Sequence, residues 1–122
     1  MSIPVPPYID VEAKVQSFLD FHQAFIIHSH YFWYDDYSNF CKKGLLELAE
    51  DSVPLRYAVA AYSALLFSVY DNRHAKEFAF LYYSQALYCV QNLIRCLPEA
   101  HRYTILATIL QLASFEVCLS VS

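Results

Sequence analysis

The chain has 122 residues, enough for one domain. Hydrophobic residues make up 57% and charged residues 16%, against about 25% charged in ordinary soluble domains, so some apolar surface is expected to be covered by a second copy, another protein or further chain. The net charge of −4 excludes the overall basic character of a protein that grips nucleic-acid backbone, and no DNA-binding residue is assigned.

Residues 1–9 form an extended lead-in, because Pro4, Pro6 and Pro7 interrupt any early helix. The same stretch lacks the basic n-region of a secretory leader. A single helical domain is expected over 10–122. Asp10 can cap a first helix, with Glu12 in its opening turn. Val11, Val15, Phe18, Leu19, Phe25 and Ile26 recur at helical spacing and carry it to about His28. His30–Tyr34 reads as a buried aromatic corner.

Asp35 or Asp36 can start a second helix, ending near Ala49, with Phe40, Leu45 and Leu48 on its apolar side. Gly44, the one glycine of the chain, lies inside it and marks either a close helix approach or a break. Residues 50–54 (EDSVP) are a boundary, with Ser52 as cap and Pro54 in the next first turn.

The third helix, 55–70, places Leu55, Ala58, Val59, Tyr62, Leu65, Leu66 and Val69 on one face. Ala60, Ala61 and Ala64 keep the rest of its surface small, so that another helix can come close. Asp71 and Asn72 turn the chain into a fourth helix, 73–97, with Phe78, Leu81, Tyr82, Cys89, Val90, Leu93 and Leu97 inward. Pro98 breaks it. A fifth helix follows from Glu99, carrying Ile105, Leu106, Ile109, Leu110, Leu112, Ala113 and Val117. No strand alternation is present. The expected fold is all-α: about five helices packed as antiparallel helical hairpins.

Chemistry-bearing residues are sparse. Cys41, Cys89, Cys96 and Cys118 form no CxxC pair. Cys89 and Cys96 share a helix face about 10 Å apart, too far for a disulfide, so buried free thiols are expected. His28, His30, Asp35 and Asp36, with His22, resemble the start of a metal site, but His28 and His30 do not share a helix face. Helix-end histidines with local hydrogen bonds are the favoured reading. There is no GxSxG, no HExxH and no Gly-rich phosphate loop. The chain is therefore expected to be no enzyme and to hold no metal or other cofactor. The two longest uncharged runs are 57–70, too short for a bilayer, and 78–94, interrupted by Ser84, Gln85, Gln91 and Asn92; no membrane span is expected. Of the eleven tyrosines, Tyr62, Tyr82, Tyr83 and Tyr88 are candidates for a ligand pocket or an interface, although aromatics at helical spacing more often fill a core.

Three blocks carry a family resemblance. The first is Leu46-Glu47-Leu48-Ala49, then Ser52 to Leu55, then Ala58-Val59-Ala60-Ala61-Tyr62-Ser63-Ala64. The second is Tyr82-Tyr83-Ser84-Gln85-Ala86-Leu87, and the third Ile105 to Leu112 followed by Phe115-Glu116-Val117. In this order they resemble the fungal-specific transcription factor domain, the helical regulatory region of zinc-cluster transcription factors, over about residues 30–117. His30-Tyr31-Phe32 sits where that domain commonly begins. The resemblance implies an all-α regulatory module in the nucleus that acts through protein contacts, with a protein partner or a homo-oligomer. The six-cysteine zinc cluster of such factors is missing from this chain, and with it their means of reading DNA. Such domains usually continue past the FEV block, so the chain is expected to be a truncated relative or a fragment, an incomplete array. The alternative from another class is a helical binding module for a small apolar or aromatic ligand.

Overall fold

The computed structural model describes residues 11–25, 44–96 and 102–121. These are almost entirely helical, and no strand occurs among them. In chain order they form α1 (Val11–Phe25), α2 (Leu45–Glu50), α3 (Val53–Cys96) and α4 (Arg102–Val121). The Pro-rich lead-in, the 30–34 corner, the start of the second helix and the break at Pro98 lie outside the described residues.

In α1, Val15, Phe18, Leu19 and His22 are buried, the i, i+3, i+4, i+7 face read from the sequence with His22 added to it. α2 is short and buries Leu45 and Ala49. Gly44 stands immediately before it with right-handed helical dihedrals (φ −61°, ψ −43°), so glycine's access to positive φ is not used there. The boundary at 50–54 behaves as expected. The Ser52 hydroxyl accepts from the Leu55 backbone N–H at 3.5 Å, and Ser52 itself donates its N–H to the Ala49 carbonyl at 3.3 Å.

Helical backbone runs unbroken from Val53 to Cys96. Yet the rings of Tyr57 and Tyr82 lie 5.9 Å apart, and a straight helix would separate those residues by about 37 Å. The axis must therefore double back between them, as the expected hairpin requires, even though the helical backbone does not stop there. Its first arm is the centre of the molecule. Every residue from Ala58 to Leu65 is buried, because α1, α2, the second arm and α4 surround it. The alanines at 58, 60, 61 and 64 permit that crowding. On the second arm, Ala75, Ala79, Tyr82, Ala86 and Val90 form the buried stripe. Val69 departs from expectation: it is 79% exposed, close to the reversal.

Phe18 ties α1 to both arms, with ring centroids 6.0 Å from Phe67, 6.1 Å from Phe78 and 6.0 Å from Tyr82. α4 packs on α3 through Ile105 and Leu112 against Ala58, Ala86 and Val90. Near its C-terminal end Phe115 meets Phe80 and Tyr83, so α4 runs antiparallel to the second arm.

Candidate functional site

The apolar residues read on this helix from the sequence are Ile105, Leu106, Ile109, Leu110, Leu112, Ala113 and Val117. Ile105 and Leu112 are inward, but Leu106, Ile109 and Val117 are exposed at 55%, 45% and 42%. Thr108, Gln111 and Ser114 are buried in their place. α4 is thus apolar on its outside and partly polar on its inside.

The buried hydroxyls need no distant partner. Thr108 Oγ1 donates to the Thr104 carbonyl at 2.6 Å and Ser114 Oγ to the Leu110 carbonyl at 2.9 Å. Each satisfies itself one turn back on its own helix, which removes most of the desolvation penalty. Ser63 on the first arm does the same with the Val59 carbonyl at 2.7 Å. Small residues on both helices then allow close packing, and α4 leaves Leu106, Ile109 and Val117 outward. Tyr103 joins them at 69% exposure, with the Arg102 guanidinium 5.1 Å from its ring centroid.

The four singled-out tyrosines do not share one site. Tyr62 and Tyr82 are buried in the core, Tyr82 beside Phe78 at 5.8 Å. Tyr83 is half-buried and stacks on Phe115 at 4.7 Å. Burial first, and then the neighbouring Glu116 carboxylate, by its charge and as an acceptor, push the phenol above its ordinary 10.0. Tyr88 is 66% exposed.

A cavity of about 240 Å³ opens between α1 and the α3 hairpin, walled by Phe18, Phe21, Phe67 and Phe78, with Lys14 and Ser17 also lining it. None of the four tyrosines lines it; its phenylalanines come from α1 and the two arms, a convergence that only the folded hairpin creates.

Among the described residues, no three His, Cys, Asp or Glu side chains form a group that could hold an ion. His28, His30, Asp35 and Asp36 lie outside those residues, as does Cys41. The thiols differ from the expectation of full burial: Cys89 and Cys118 are half-buried and Cys96 is exposed, all three free. Burial pushes the Cys89 and Cys118 thiols above their ordinary 9.0.

Among the described residues, one helical stretch, Arg102–Ser120 of α4, is long and apolar enough to cross a bilayer by length and composition, with mean hydropathy 1.4. It is neither of the uncharged runs weighed in the sequence. A third of it is buried against the rest of the fold.

The family model of the fungal specific transcription factor domain matches residues 17–121. The match begins inside α1, before the His30 start read from the sequence. No curated protein and no solved structure matches the chain significantly.

Proposed function

Because the chain belongs to the family of fungal specific transcription factor domains, a family of transcription-regulator-like role, we propose that it is a non-enzymatic regulatory module, working in the nucleus through protein contacts and without DNA-binding residues of its own. The observation that carries this reading is the outer face of α4. Leu106, Ile109 and Val117 are exposed on a helix whose inner face is already packed. Together with exposed Phe80, Leu87, Tyr88 and Ile94 on α3, these side chains favour a protein-contact role over a solvated surface. The acidic net charge of −4 favours contact with protein over contact with DNA.

The test tethers the chain to an unrelated DNA-binding domain upstream of a reporter of intermediate output. Tethering is expected to move the output, up or down. The paired change Leu106→Glu with Ile109→Glu is expected to return it to the untethered level at unchanged protein abundance. Equal output with and without the tethered chain would overturn the reading.

A second reading, binding of a small ligand, rests on the cavity beside α1. Its volume of about 240 Å³ lies below the usual range for drug-sized ligands, roughly 300–1,000 Å³, and suits a single small ring. Four phenylalanine side chains and one Lys14 ammonium favour an aromatic carboxylate. Benzoate titrated against labelled protein is expected to shift the amide resonances of Ser17 and Ala75, and Phe21→Ala to reduce those shifts. Unmoved resonances at millimolar benzoate would end this reading.

A further inference from the structure

On the outer side of α4, Tyr103, Leu106, Leu110, Ala113 and Val117 are spaced three, four, three and four residues apart. That is the a/d repeat with which one helix packs along another. Tyr103, Leu106 and Val117 are exposed, and Leu110 and Ala113 are half-buried. Along one exposed edge of this stripe lie Arg102, Ile109 and Glu116, each seven residues from the next. The other edge, Ala107 and Ser114, is buried within the fold. The stripe is therefore flanked by one open edge, with a positive charge at one end, a negative charge at the other and an aliphatic residue midway.

We propose that this face is the interface of a homodimer, in which α4 packs antiparallel on α4 of a second copy about a two-fold axis near Ile109. The inference rests on the reading that the chain acts through protein contacts, and gives that contact a partner. The register follows from the sequence of the stripe. With Leu106 opposite Leu110 of the second copy, Tyr103 falls opposite Ala113, a large side chain against a small one. The two-fold operation repeats both pairings. In this register Arg102 of each copy faces Glu116 of the other, and Ile109 faces its own copy. A parallel pairing leaves the two charges of the open edge about 21 Å apart along the axis and pairs neither. Arg102 keeps its contact with the Tyr103 ring and Glu116 its place beside Tyr83 in the single copy; both residues remain exposed. About four turns of one helix from each copy place the contact at the small end of specific interfaces, so a weak, concentration-dependent dimer is expected.

The test is sedimentation equilibrium of the full chain, with helix content followed by circular dichroism. The wild type is expected to pass from monomer to dimer across the micromolar range. Arg102→Glu sets like charges together at two symmetric places and should weaken the dimer about tenfold. Arg102→Glu combined with Glu116→Arg restores opposite charges and should recover most of that loss. A wild type that stays monomeric through the range, or that floats with neutral lipid vesicles in place of dimerising, would overturn the dimer. A dimer indifferent to Arg102→Glu would overturn the register. A monomer whose tethered form still moves the reporter would overturn the dimer and leave the regulatory reading standing. A dimer that responds to both charge changes while the reporter stays still would support the dimer and count against the regulatory reading alone.

Discussion

Phe18 is in ring contact with three partners drawn from both arms of the hairpin. Its removal opens a cavity where α1, the first arm and the second arm meet. Phe18→Ala should cost about 3–5 kcal/mol, read as a fall in the urea midpoint at unchanged slope. Tyr83 supplies a second test at this scale. Its phenol and the thiols of Cys89 and Cys118 are all raised in the folded state. In the unfolded chain these groups ionise near their ordinary values, while the folded chain still holds the protons. The unfolded state then binds fewer protons, so stability falls as pH rises. The thiols begin the fall above 9.0 and Tyr83 adds to it above 10.0. Urea unfolding between pH 8 and pH 11 should show that decline, and Tyr83→Phe should flatten its upper part. An unchanged profile in Tyr83→Phe would assign the upper part to other groups.

Among the elements, α3 and α4 differ in how their sequences encode their faces. The second arm of α3 mixes apolar residues with exposed Ser84, Gln85, Gln91 and Asn92, so periodicity finds Tyr82 and Val90 on its inward side, while the alanines 75, 79 and 86 that complete the buried stripe carry no such signal. α4 offers less contrast: apolar residues lie on both its faces, and Thr108, Gln111 and Ser114 are buried while Arg102, Glu116 and Ser120 are exposed. Spacing alone therefore does not tell exposed Leu106, Ile109 and Val117 from buried Ile105 and Leu112. Self-bonding hydroxyls could have warned of this, since Thr108 and Ser114 each have a carbonyl one turn back to accept their proton. Two substitutions separate the faces. Leu55→Ala, at a site with no exposure, should cost about 2–5 kcal/mol. Leu106→Ala, in the isolated monomer, should cost less than about 0.5 kcal/mol. Similar losses at both sites would contradict the inside-out orientation of α4.

At the scale of the molecule, the fold is a hairpin with its first arm enclosed. Nitroxide labels at Val53→Cys and native Cys96, with the other cysteines replaced by serine, report on this directly. The two sites should lie within about 30 Å of each other, against about 65 Å for a straight helix of that length. A distance near the longer value would refute the hairpin. Enclosure also limits where the chain can meet other molecules. The first arm has almost no free surface between Ala58 and Leu65, so contacts with other molecules fall, among the described residues, to the second arm, the outer face of α4 and the cavity beside α1.

The sequence by itself determined the helical class, the reversal near Asp71 and the boundary at 50–54. Each depends on local chemistry: uninterrupted helix formers, a short polar connection, a serine cap before a proline. It also carried the family, through ordered blocks that lie mostly on the central hairpin. Tertiary structure alone decided which side of α4 faces inward. A helix with apolar residues on both faces is oriented by the fit of its small residues against the alanines of its neighbour, and that fit exists only once α3 has folded back. The same is true of the Phe-lined cavity, whose walls come from three segments that become neighbours only in the hairpin.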